Sequence, residues 1–217
     1  YKLKDIESQL FLTTHSPDIA DAFNLKEFII LNKSNENIKV NNFKTDSSSM
    51  EKVLRNAESY NKEELIRSFF GRAVLLVEGD TEKGALPKLF ATLSEKEKFE
   101  HYAKLGINIL NLGSCNLIEK YGETFQKLNI PVMAIMDNDP EKTSGNNDEL
   151  VKKIKKHTDL FILLPDDECF YDFEGIMCYG SDYGVLKKSL IKMIGYRSND
   201  KIIKGKLCSK IKDNNEE

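Results

Sequence analysis

The stretch Val74-Leu75-Leu76-Val77-Glu78-Gly79-Asp80-Thr81-Glu82 constrains this chain more than any other. Its four apolar residues, rich in β-branched types, make a short buried strand. Glu78 stands where that strand ends, and Gly79 permits a sharp turn into the next segment. A helix is expected at once: Asp80 or Thr81 is placed to cap it, and Glu82 falls in its first turn, where the helix dipole favours an anion. Leu86, Leu89, Phe90 and Leu93 recur at helical spacing and give that helix one buried face. Glu78 and Glu82 therefore both emerge near the carboxyl end of a strand, the place where open α/β sheets bind their ligands.

Taken alone, this is equally the pattern of a strand that ends in a turn, with Glu82 a favourable first-turn charge. A second acidic strand end separates the two readings. Pro131-Val132-Met133-Ala134-Ile135-Met136 is another apolar strand, and it runs straight into Asp137-Asn138-Asp139. Two strands that each bring two carboxylates to one rim supply the hard oxygen donors that Mg²⁺ or Mn²⁺ requires. Without a cation, four such anions held together would repel strongly.

The pair VLLVEGDTE and VMAIMDND resembles the glutamate motif and the DxD motif of the Toprim domain, which topoisomerases, bacterial primases and the overcoming-lysogenization-defect (OLD) family of nucleases share. The EGDTE form, with its second Glu four residues on, is most similar to the OLD family. Asp172-Phe173-Glu174, after the strand-like Leu160 to Leu164 and Pro165, is similar to that family's later acidic motif. The resemblance covers roughly Arg72 to Lys210 and rests on three acidic motifs in order, each after an apolar strand. It implies a metal-dependent site made by Glu78, Glu82, Asp137, Asp139 and Glu174, with one or two Mg²⁺ or Mn²⁺ ions. It also implies a lysine near the site: Lys206 in Lys204-Gly205-Lys206 matches best, and Leu207 where a proline often stands leaves Lys204 as the other choice.

The chain's net charge of -3 over 217 residues gives no global attraction to nucleic acid, but the charge is uneven. Residues 183–212 hold nine Lys or Arg against the single acid Asp200, and a basic segment beside an acidic metal site suits a phosphodiester substrate, although a solvated Lys-rich helix face is also common. Cys115, Cys169, Cys178 and Cys208 are scattered without a C-x-x-C pair, so neither a zinc site nor a redox motif is indicated. No signal peptide and no apolar run of membrane-spanning length is visible, and a cytoplasmic protein without membrane contact is expected. His101 and His157 lie away from every motif, and there is no Ser/His/Asp or Cys/His grouping, so the chemistry rests on carboxylates and metal.

Residues 8–23 read as a strand, a turn and a helix, with Ser16 as N-cap and Pro17 in the first helical position. Within that segment His15, in Thr13-Thr14-His15-Ser16-Pro17, resembles the switch histidine with which ABC-type ATPases sense the terminal phosphate of the nucleotide. OLD proteins carry such an ATPase ahead of their Toprim domain. No G-x-x-x-x-G-K-[ST] phosphate loop occurs in the chain, so residues 1–70 are expected to be the C-terminal part of an ATPase domain with its connector, binding ATP only in the full-length protein. Glu27 to Asn32 and Ile38 to Asn42 read as a hairpin, and Met50 to Tyr60 and Lys62 to Phe69 as helices leading to the next domain.

From residue 71 to 217 the expectation is a Toprim nuclease domain with a helical C-terminal segment. Strands at Val74, Ile107, Val132 and Leu160 alternate with helices, which implies a Rossmann-like parallel sheet with helices on its faces. The function expected is divalent-metal-dependent cleavage of DNA in an ATPase-coupled OLD-family protein, one that the resemblance associates with bacterial anti-phage defence. Implied partners are DNA, a second copy through the missing ATPase domain, and proteins of a defence system. Two alternatives stay open: a catalytically weak Toprim module for assembly or DNA docking, and another Toprim enzyme of the topoisomerase or primase type. For a topoisomerase, Tyr60, Tyr171 and Tyr179 have no supporting sequence context.

Overall fold

Alternate residues of one buried strand point to opposite faces, and here the two faces are covered by different helices. The structure, a computed structural model, describes residues 10–34, 37–43, 48–97, 102–137, 147–164 and Phe173. Its centre is a parallel sheet of four strands: β3 (Ala73–Val77), β4 (Ile107–Asn111), β5 (Val132–Met136) and β6 (Leu160–Leu163), in the spatial order β4-β3-β5-β6. Leu75 pairs with Ile109 on one side and Met133 on the other, so β3 is central. All five residues of β3 and all five of β5 are buried, as expected for strands covered on both faces.

Ala73, Leu75 and Val77 pack on the face occupied by α4 (Asp80–Glu97), through Leu86, Phe90 and Leu93. Val74 and Leu76 pack on the other face, with Ile118, Tyr121 and Phe125 of α5 (Ile118–Lys127) and Val151 and Ile154 of α6 (Asn147–Lys156). This division results from right-handed crossovers: the chain leaves β3 in one direction to reach β4, then crosses back past β3 to β5 and continues to β6. β3 and β5 are thus adjacent strands whose outgoing connections diverge, which makes the gap between their carboxyl ends the switch point of the sheet.

The N-terminal elements join the α5 face. A short helix α1 (Pro17–Asp21) starts at Ser16, whose side chain accepts the Ile19 N–H at 3.5 Å, with Pro17 in the first turn as expected. The hairpin β1 (Ile29–Ser34) and β2 (Asn37–Asn42) is antiparallel, with Leu31 opposite Val40. Next come α2 (Ser48–Asn56), a π-helical turn (Ala57–Asn61) and α3 (Lys62–Phe69) without interruption. The ring of Phe69 packs against Phe28, Phe43 and Phe125 at centroid separations of 6.4, 5.4 and 6.0 Å, so hairpin, connector and α5 share one core.

Two elements differ from the sequence expectation. Residues 10–14 form no strand, and Leu10, Phe11 and Leu12 are exposed. Glu95 to Leu105 reads in the sequence as a separate charged amphipathic helix, but its start is the end of α4, which runs through to Glu97 because nothing between Ala91 and Glu97 breaks it. In the sequence, Val185–Ile194 and Lys201–Ile211 also read as terminal helices and Pro140–Asn147 as a polar loop; these helices, the basic segment 183–212 and the loop up to residue 146 lie outside the described residues, while Asn147 opens α6.

Candidate active site

Parallel pairing brings Glu78 and Asp137 together. Each is the first residue after its strand, and β3 and β5 are neighbours in register from Val74–Val132 to Leu76–Ala134. Glu82 joins them from the first turn of α4, which opens when the Gly79 carbonyl accepts the Lys83 N–H at 3.4 Å. The three carboxylates line one cleft of about 330 Å³ at the switch point. Glu82 and Asp137 are only 3% and 4% exposed, depths at which acidic side chains are rare unless they are paired or bind a cation.

Local packing sets each acid. A Cβ on Gly79 would lie 3.1 Å from Glu82 Oε2, so the bare glycine leaves room for the Glu82 carboxylate to fold back over the turn. Asp137 Oδ1 accepts the backbone N–H of Phe173 at 3.1 Å, and the Phe173 side chain is fully buried in the α4-side core. The residue preceding Glu174 is therefore bonded directly to one acid of the cleft. Asp80, considered in the sequence as a helix cap, has its carboxylate hydrogen-bonded by Asn111 Nδ2 at 2.7 Å.

Asn111, the last residue of β4, is a cleft residue that sequence reasoning passed over, although its position at a third strand end beside β3 was the available signal. Its Oδ1 accepts the Gly113 N–H at 2.9 Å, and its carbonyl accepts from the buried Asn61 Nδ2 at 2.9 Å. Tyr60 also lines the cleft, with its hydroxyl 3.4 Å from Asn111 Nδ2. Nothing in the sequence pattern signals it, because a π-helical turn rather than an α-helix sets its direction.

Of the other residues singled out in the sequence, His15 is exposed in the turn before α1 and does not line this cleft. Asp139, Glu174, Lys206 and its alternative Lys204 lie outside the described residues, as does Asp172. Among the described residues, no group of three or more His, Cys, Asp or Glu side chains is drawn together tightly enough to hold a metal ion by itself. The oxygen-only donor set of Glu78, Glu82 and Asp137 nevertheless suits a hard divalent cation, and it lacks the thiolate and imidazole that would favour zinc. Cys115, the one cysteine among the described residues, is buried and lies outside the cleft.

Residues 69–139 match the family model for the overcoming lysogenization defect protein-like TOPRIM domain. The matched span runs from the end of α3 through Asp137 and Asp139, and so includes Glu78, Glu82 and the whole β3-α4-β4-α5-β5 unit. Toprim domains bind divalent metal ions and are typical of metal-dependent nucleic-acid enzymes, with nucleotidyl-transfer or nuclease-type chemistry. The four-stranded parallel sheet flanked by helices agrees with the Rossmann-like form of that domain. No curated protein matches the chain. Among the described residues no helix is long and apolar enough to cross a membrane.

Proposed function

We propose that this chain carries a divalent-metal-dependent DNA endonuclease site of the OLD type. The observation that carries the proposal is the meeting of Glu78 and Asp137 on adjacent parallel strand ends at the switch point, with Glu82 delivered to the same cleft by α4.

In this reading Asp137 and Asp139 would hold one Mg²⁺ or Mn²⁺, and Glu82 and Glu174 would support a second. Phe173 supports the assignment of Glu174, since its backbone is already bonded to Asp137. Bound ions supply Lewis-acid activation of water and neutralise the leaving oxygen. Glu78, less buried than its two neighbours, binds metal or takes the proton from the attacking water on its carboxylate. Lys206, or Lys204 in its place, stabilises the added charge on the phosphate. Asn111 and Asp80 brace the floor of the cleft through their mutual hydrogen bond.

Residues 1–70 are, in the same proposal, the closing part of an ABC-type ATPase domain, with His15 its nucleotide-sensing residue in the full-length protein. The hairpin supports this. Its Asn41 side chain bonds the Leu128 carbonyl at 3.0 Å and Lys39 Nζ bonds Asn129 Oδ1 at 2.7 Å, so polar groups face the rest of the chain. Ile29, Leu31, Ile38 and Val40 are meanwhile 58–67% exposed, the pattern of a ribbon whose covering layer belongs to a larger sheet. ATP coupling, assembly through that domain and a role in anti-phage defence belong to this reading.

Cleavage of supercoiled plasmid in Mg²⁺, Mn²⁺ or Ca²⁺ tests the function. Wild-type protein is expected to nick or linearise the plasmid in at least one of these metals, and Glu78→Ala and Asp137→Ala to lower the rate by at least about 100-fold. Cleavage that persists in both variants would refute the assignment. Folded protein that binds DNA but cuts it in no metal would favour the docking-module alternative.

A further inference from the structure

Tyr60 is 55% exposed, yet it stands on the rim of a cleft otherwise lined by carboxylates, an amide and glycines. Its position is fixed from below. It belongs to the π-helical turn Ala57–Asn61, and its hydroxyl lies 3.4 Å from Asn111 Nδ2 at the end of β4. The next residue, Asn61, anchors that turn: it is 5% exposed, its amide donates to the Asn111 carbonyl at 2.9 Å, and its Oδ1 lies 3.1 Å from the buried Tyr121 hydroxyl. On one side the Tyr60 ring rests against Gly113, where an added Cβ would stand 3.6 Å from Cε1, Cζ and the hydroxyl oxygen. Gly113 has φ +71, so its backbone conformation favours a glycine there.

We infer that Tyr60 is a substrate-contacting residue whose ring stacks on an unpaired nucleobase beside the scissile phosphate. The inference rests on the proposed nuclease function and narrows its substrate to DNA that is single-stranded or frayed at the cut. An acidic cleft holding metal receives the phosphate, but its carboxylates offer a base no face to stack on. A half-exposed aromatic ring at the rim supplies a face on which any base can stack, and it does so without sequence preference. In a closed duplex the bases are stacked on each other, so the ring has a partner only where pairing is absent.

Binding in Ca²⁺, with strand integrity checked on a gel, tests this with fluorescently labelled single strands and with the same sequence as a blunt duplex. Wild-type protein is expected to prefer the single strand and to change the emission of a 2-aminopurine placed beside the bound phosphate. Tyr60→Leu keeps apolar bulk without the ring and is expected to weaken single-strand binding by about tenfold and abolish the emission change. Tyr60→Phe keeps the ring and should stay within about threefold of wild type. Thermal melting of both variants checks the fold. If wild type binds DNA and Tyr60→Leu binds it equally well, stacking is overturned while the nuclease reading stands. If Tyr60→Phe loses as much as Tyr60→Leu, the hydroxyl is the working group and stacking is again overturned. If wild type binds no DNA of either form, the nuclease reading fails, and this inference with it.

Discussion

A few tenths of an ångström at Gly79 set the position of the Glu82 carboxylate. A methyl group there would stand 3.1 Å from Glu82 Oε2, so the carboxylate would have to give way by a few tenths of an ångström within the cleft that it lines. Gly79→Ala is therefore expected to shift a proposed metal ligand without unfolding the protein. Plasmid cleavage should fall at least about tenfold, because small misplacements of reacting groups cost large factors in rate. Gly84, inside α4 just beyond that turn, is the internal control: an added Cβ meets nothing within 4 Å. Gly84→Ala should keep full activity and raise stability by about 0.5–1 kcal/mol through helix propensity, measured by thermal or urea denaturation. Equal loss of cleavage in both variants would show that the turn does not position Glu82. At this scale Glu78, Glu82 and Asp137 were legible in the sequence, since each comes after a recognisable apolar strand directly or within one turn. Tyr60 was not, because periodicity presumes 3.6 residues per turn and the π-helical turn breaks that count.

Among elements, α5 is the one against which the rest of the fold is registered. Gly122 permits its close approach to the chain after α6: a Cβ there would lie 2.7 Å from the His157 carbonyl oxygen and 3.3 Å from the His157 Cβ. Replacing glycine with alanine in a helix ordinarily gains up to about 1 kcal/mol, but a backbone carbonyl cannot move aside as a flexible side chain does. Gly122→Ala is expected to lose about 1–2 kcal/mol of stability by denaturant titration, the reverse of the Gly84 result. On another side of α5, Glu123 accepts from Lys127 Nζ at 2.6 Å and from the Ser49 hydroxyl of α2. The Lys127 hydrogen bond first, then that of Ser49, hold its carboxyl below the ordinary glutamate range.

A carboxyl depressed in the folded state stabilises the protein above its unfolded value of about 4.3, and that contribution is lost as pH falls through the folded value. Glu123→Gln should thus cost about 1 kcal/mol near pH 7 and nothing once the pH is below the folded value, as read from melting curves between about pH 7 and 2.5. A gap between variant and wild type that stays constant with pH would contradict this. Element types were well marked in the sequence, with the hairpin and the four sheet strands placed within a residue or two. Their lengths were less so: α4 absorbed the start of an expected second helix because charged residues without Gly or Pro carry no stop signal.

For the whole molecule, strand order matters more than any single element. An order of β4-β3-β5-β6 makes neighbours of two strands separated in sequence by β4 and two helices, and only that adjacency turns two acidic strand ends into one site. The alternation of strands and helices in the sequence implied a parallel sheet, but adjacency depends on crossover direction, which residue pattern alone does not encode. The exposed apolar face of the hairpin, with Ile29, Leu31, Ile38 and Val40, was likewise invisible, because both faces read as ordinary strand alternation. In the proposed function the switch-point carboxylates form one cation site. Titration of Mn²⁺ monitored by electron paramagnetic resonance tests it most directly, in wild type and in the near-isosteric variants Glu82→Gln and Asp137→Asn. Wild type is expected to bind one or two ions, and each variant to lose at least about tenfold in affinity while retaining its fold. Unchanged Mn²⁺ binding in both variants would contradict the account.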